Sequence, residues 1–131
     1  NGLKVLETMR ALTAYMDPDY LYLQAFTLQS PRYRMADGSN FKKAIKLYDQ
    51  AIGRRKTFYD AVYNKAVCYY LLKDYNASIK TASQHIALRP EIMQAYVIRA
   101  RAYVQNKNFA PALADLNIVE QKSPFLCVNN L

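Results

Sequence analysis

Nucleophilic and acid–base chemistry need a titratable side chain within hydrogen-bond reach of a partner, and this chain offers few such groups. Its single histidine is His85. Its two cysteines, Cys68 and Cys127, lie far apart, with no C-x-x-C pair and no companion histidine cluster. The ten Asp and Glu residues are scattered, no two carboxylates pair on one helical face, and no glycine-rich phosphate loop occurs. His85 falls inside a helical pattern at a place where the equivalent residues are Ala51 and Val119. A packed histidine with its polar atoms satisfied is therefore expected, and no Ser/His/Asp or Cys/His arrangement assembles around it. No catalytic residue, metal site, cofactor or small-molecule ligand is expected. The two thiols read as reduced cysteines of an intracellular, cytoplasmic protein, with a nuclear or cytoskeletal setting as the alternative.

Charge is the second chemistry to weigh. Eighteen Lys and Arg oppose ten Asp and Glu, a balance of +8. Up to Lys65 there are 11 basic and 6 acidic residues, then 7 and 4, so the excess is spread along the chain. The densest run, GRRK at Gly53–Lys56, is shorter than the blocks that mark polyanion-binding arms. Such a balance permits an acidic partner without naming one. Twelve tyrosines raise the possibility of base stacking. The cations of that nucleic-acid-binding alternative would be Arg32, Arg34, Arg54, Arg55 and Lys56. No apolar run is long enough to span a bilayer, so no membrane insertion is expected.

The elements that position these residues come from a repeat. AVYNKAVCYYLLKDYNASIKTASQHIALRP (Ala61–Pro90) lies without a gap on AYVIRARAYVQNKNFAPALADLNIVEQKSP (Ala95–Pro124) after a shift of 34 residues. Ala61 meets Ala95, Ala66 meets Ala100, Tyr69 meets Tyr103, Tyr75 meets Phe109 and Pro90 meets Pro124. Within each span apolar residues recur three and four apart, the helical period. Tyr96, Ala100 and Tyr103 mark one apolar face, and Phe109, Ala112, Leu113, Leu116 and Val119 the next. Lys73-Asp74 and Asn106–Asn108 read as turns, with Asp74 as an N-cap and Pro111 in a first turn. Ala66, Ala100, Ser78 and Ala112 are small enough to let antiparallel helices approach closely. A fixed period of this length marks stacked helical hairpins.

These positions resemble the tetratricopeptide repeat, carried by Ala66/Tyr69/Tyr75/Ser78/Pro90 and Ala100/Tyr103/Phe109/Ala112/Pro124. The resemblance implies an all-α fold: about seven helices in antiparallel pairs forming a right-handed α-solenoid. One domain over 1–131, part of a longer protein, is expected to divide into a capping or preceding-repeat helix at 1–18 and repeats at 19–56, 57–90 and 91–124. Residues 125–131 would begin a truncated next helix or form a tail. The 19–56 copy pairs Asp19–Gln29, with Leu21, Ala25 and Leu28 facing inward, with Asn40–Ile52. A long turn, Ser30–Ser39, separates them. Leu3, Leu6, Met9 and Leu12 share one face of the leading helix. Lys65 and Arg99 occupy equivalent places. Asp115 should pair with Arg99, while Lys65 meets Thr81 and lacks that partner.

In such stacks the first helix of each pair lines a concave face. That places Tyr22, Phe26, Tyr63, Asn64, Val67, Tyr70, Gln94, Val97, Arg101 and Gln105 along a tyrosine-rich groove suited to an extended peptide or amphipathic helix. Arg32, Tyr33 and Arg34 on the long turn form a possible second surface. The expected function is a non-catalytic protein–protein interaction module, a scaffold or adaptor. Some relatives of the resembled family hold acidic chaperone tails with a Lys/Asn/Asn/Lys/Arg clamp. Here only Asn64 fits, with Tyr22, Phe26, Gln94 and Ile98 at the other places, which makes chaperone-tail binding the weaker reading.

Overall fold

A computed structural model describes residues 2–33 and 37–122, and for residues 10, 12–16 and 33 the backbone alone. The described residues form α1 (Gly2–Met16), α2 (Pro18–Gln29), a 3₁₀ turn (Pro31–Tyr33), α3 (Ser39–Arg54), α4 (Tyr59–Leu71), α5 (Tyr75–Leu88), α6 (Gln94–Gln105) and α7 (Phe109–Lys122), with no strand. Each helix packs on the next in chain order, and α4 also touches α2 and α6. That is the contact pattern of an α-solenoid of stacked hairpins, not of a closed bundle.

Local chemistry sets the helix ends. The Asp17 carboxylate accepts the Asp19 N–H at 2.8 Å, and Pro18 opens α2 where its missing N–H costs nothing. Asp74, the expected N-cap of α5, accepts the Ala77 N–H at 3.3 Å. The turns after α4 and α6 are copies of each other. Lys73 (φ 65°) and Lys107 (φ 61°) take the left-handed conformation. The N–H groups of Asp74 and Asn108 then reach back to the Tyr69 and Tyr103 carbonyls at 2.9 Å. Lysine at a place that usually takes glycine costs about 1 kcal/mol. Gly38, at φ 75°, opens α3. A Cβ there would lie 2.5 Å from a terminal methyl of Leu72, a contact that a turn of that side chain relieves, so the left-handed backbone is what favours glycine at this place.

Leu21, Ala25, Phe41, Ala44, Ile45 and Tyr48 seal α2 against α3, and the buried Tyr48 hydroxyl donates to Gln29. Cys68 joins this core, and burial pushes its thiol up to about 12, which leaves it unreactive at neutral pH. Ala66 and Ala100 are buried mid-helix, and the buried Ser78 hydroxyl donates to the Ala66 carbonyl at 2.9 Å.

Two apolar faces read from the sequence lie in part on the surface. On α7, Ala112 and Val119 are buried, but Phe109 is 62% and Leu113 60% exposed, and Leu116 is also exposed. The repeat explains the difference. Ala82, the counterpart of Leu116, is covered by Ile98 of α6, whereas no described helix follows α7. On α1, which packs on α2, Leu3, Leu6 and Met9 are exposed. The side chain of Leu12, Arg34, Pro124, Cys127 and the segment 125–131 lie outside the described residues.

Candidate functional site

The first helices α2, α4 and α6 touch in series and border a cleft of about 1100 Å³. Phe26 enters from α2, Asp60, Tyr63 and Asn64 from α4, and Gln94, Val97, Ile98 and Arg101 from α6. His85 of α5, Glu91–Met93 of the connection, and Leu116 and Val119 of α7 complete the lining. Six of the ten groove residues read from the sequence therefore meet here: Phe26, Tyr63, Asn64, Gln94, Val97 and Arg101.

The other four lie elsewhere. The Tyr22 ring packs against Phe26, Tyr48 and Phe58 at centroid distances of 6.0, 5.7 and 5.1 Å. Val67 and Tyr70 pack on the Ala66, Ala82 and Ile98 cluster, and Tyr70 also meets the Tyr75 ring edge-on at 5.5 Å. Gln105 is exposed at the end of α6 and does not line the cleft. Helical period finds which face a residue is on, but not which neighbouring helix covers it.

Polar groups in the cleft are already oriented. Asn64 Nδ2 donates to the Tyr22 hydroxyl at 3.0 Å and to the Asp60 carbonyl at 2.9 Å, which commits both amide hydrogens and leaves Oδ1 to accept. Burial pushes the Tyr63 phenol up, and the nearby Arg101 charge partly offsets it. Tyr22 is raised by burial and by the Asp60 charge, against the Asn64 hydrogen bond. Glu91 is held below its usual range by the hydrogen-bonded Arg89, whose guanidinium also lies 4.5 Å from the Tyr59 ring centroid.

His85 corrects an expectation. It is only 1% exposed, but Nδ1 has no hydrogen-bond partner among the described residues, so the histidine is packed without being satisfied. Its ring meets the edges of Tyr59 and Tyr63 at 6.0 and 5.9 Å. Burial lowers its pKa, partly offset by Asp60, and favours neutral imidazole. Sequence reading missed His85, Asp60 and the 91–93 connection as cleft residues. They come from a second helix, a helix start and a loop, outside the stripe that the period marks.

The expected Arg99–Asp115 pair is present and bidentate, at 2.8 and 2.6 Å, and Arg99 also donates to Ser83 Oγ at 3.1 Å. Lys65 has no carboxylate at Thr81, as expected, and turns back to Asp49 of α3 at 2.6 Å. The basic set of the nucleic-acid alternative is divided. Arg32, Arg54 and Lys56 are exposed, while Arg55 binds both carboxylate oxygens of Asp19 at 2.9 and 3.2 Å and lies over Phe58. Among the described residues no group of three or more His, Cys, Asp or Glu could hold a metal, and no helix is long and apolar enough to cross a membrane.

Stacked antiparallel hairpins with a cleft along their first helices define a helical-repeat protein of the tetratricopeptide type. The family model described as anaphase-promoting complex, cyclosome, subunit 3 matches residues 37–117, more than half of the sequence, and the chain belongs to that family. Suppressor of RPS4-RLD 1 from Arabidopsis thaliana is 29% identical over 79 residues, which cover 58% of this chain and 7% of that relative's length. The crystal structure of MamA superposes with a TM-score of 0.72 at 16% identity, covering 86% of this chain and 61% of that one. The second tetratricopeptide domain of Spaghetti (RPAP3), bound to the HSP90 peptide SRMEEVD, gives 0.70 at 18% identity, covering 94% and 98%. The TPR2AB domain of yeast Sti1 in complex with an HSP90 peptide gives 0.69 at 25%, covering 97% and 46%.

Proposed function

We propose that this chain is a non-catalytic protein-interaction module that holds an extended segment of a partner protein in the cleft between α2, α4 and α6. The observation that carries this is the mixture of donors and acceptors that line an otherwise apolar cleft. Asp60 and Asn64 Oδ1 on α4 and Glu91 on the connection before α6 offer acceptors, Arg101 on α6 offers donors, and Gln94 offers both. A peptide backbone presents N–H and C=O to both sides, and Phe26, Tyr63, Val97 and Ile98 supply apolar area between them. The HSP90 peptides bound by the RPAP3 and Sti1 domains show the same fold carrying peptides. Here, however, a single guanidinium faces two carboxylates, which disfavours an anionic tail. An intracellular, cytoplasmic setting accords with the buried free thiol of Cys68.

The test is selection of a displayed random peptide library on the intact chain. Selected peptides should lose at least about tenfold in affinity on Val97→Asp, which places an unpaired charge among apolar contacts, and less on Arg101→Ala. Peptides that bind both variants as tightly as the parent would place recognition elsewhere.

A further inference from the structure

Folding gathers charge that the linear sequence spreads out. Lys42, Lys43, Lys46 and Arg54 are all exposed on α3, whereas Phe41, Ala44, Ile45, Tyr48 and Ala51 are buried. At 100° per residue the four cations and Gln50 fall within an arc of about 120° along about 18 Å of helix. None is in an ion pair among the described residues. The acidic residue on this helix, Asp49, is paired with Lys65, and Asp37, ahead of the helix, interacts electrostatically with Lys42, so the row keeps a net positive charge. Like charges three and four apart, as in Lys43/Lys46 and Lys42/Lys46, destabilise a helix. The outer faces of the other second helices are different. On α5 the exposed polar residues Asn76, Lys80 and Gln84 include one cation, and α7 exposes Ala110, Ala114 and Asn117 before Lys122.

We propose that the outer face of α3 docks an acidic, extended segment of a partner protein, on the side of the hairpin away from the cleft. Cations four residues apart on a helix are spaced by about 6 Å. Alternate side chains of an extended strand are spaced by about 6.7 Å, so carboxylates at every second residue match Lys42 and Lys46, with Gln50 at the next place and Arg54 beyond it. The aromatic residues of α3, Phe41 and Tyr48, are buried, which removes the stacking platform that single-stranded nucleic acid uses. Three of the four cations are lysines, compact charges that pair with carboxylates without demanding one fixed geometry.

Fluorescence anisotropy on the intact chain tests this with two labelled probes, a twelve-residue Glu-Ser alternating peptide and a twelve-nucleotide oligothymidylate. The substitutions Lys42→Gln, Lys43→Gln, Lys46→Gln and Arg54→Gln made together touch only exposed side chains. They should weaken the acidic peptide by about tenfold or more at near-physiological salt. A control with Lys73→Gln, Lys80→Gln, Lys107→Gln and Lys122→Gln removes the same charge elsewhere and should change binding by less than about twofold. Equal losses in the two variants would reduce the effect to net charge and overturn the proposal. So would no measurable binding of the acidic peptide, or tighter binding of the oligothymidylate. A peptide selected for the cleft should bind the α3 variant as it binds the parent, so this test and that of the cleft fail separately.

Discussion

Shifted by 34 residues, the α4–α5 hairpin lies on α6–α7, and the two differ most where polar side chains enter the packing. Lys65 falls on Arg99, Thr81 on Asp115 and His85 on Val119. The second hairpin pairs its cation within itself: Arg99 grips Asp115, which is buried, and also reaches back to Ser83. In the first hairpin Lys65 reaches back to the more exposed Asp49. One backbone plan thus supports two ways of tying hairpins together. A basic residue on a first helix stands between two second helices and takes whichever carboxylate is present. The apolar frame, built on alanines and tyrosines, is common to both.

Breaking the two pairs separates them most sharply. Asp115→Ala leaves the half-buried Arg99 guanidinium without its bidentate partner and should cost about 3 kcal/mol, read by denaturant unfolding. His85→Val, borrowing the residue of the other hairpin, should change the pH dependence. Because burial holds the folded His85 below its unfolded value near 6.5, its neutral form gives full stability above that pH. Stability then falls with acidity until the folded value is passed, with a slope of at most about 1.4 kcal/mol per pH unit. Thermal melts of parent and His85→Val should differ in slope below pH 6.5 and run parallel above it. Asp49→Ala should cost less, about 1 kcal/mol, since the carboxylate of that pair is half exposed where Asp115 is buried. The smallest change is Lys107→Gly, which relieves a left-handed lysine and should raise stability by about 0.5 kcal/mol. Lys73→Gly should match it, because the two turns are copies.

Much of this architecture was legible because repetition doubles each signal. Ala66 with Ala100 and Tyr69 with Tyr103 fix helix, face and register together, and the Arg99–Asp115 pair followed from one residue facing another across a hairpin. Legibility failed where position depends on a neighbour. Phe109 and Leu113 have the same period as core residues, yet they need a following helix to be covered. Tyr70 lies on the stripe of first-helix residues, but the cluster around Ile98 takes it. His85 looked like ordinary core because the frame puts Val119 there, and only packing reveals that Nδ1 has no partner among the described residues. The basic row on α3 escaped a count along the chain, since its members are interrupted by the buried residues of the opposite face.

Backbone amide chemical-shift mapping with a library-selected peptide tests the cleft most directly. Titration should move the resonances of Phe26, Tyr63, Asn64, Val97 and Arg101 together, on three helices, and leave the outer faces of α3 and α5 in place. Shifts confined to those outer faces, or to the exposed apolar surfaces of α1 and α7, would contradict a partner lying between the first helices.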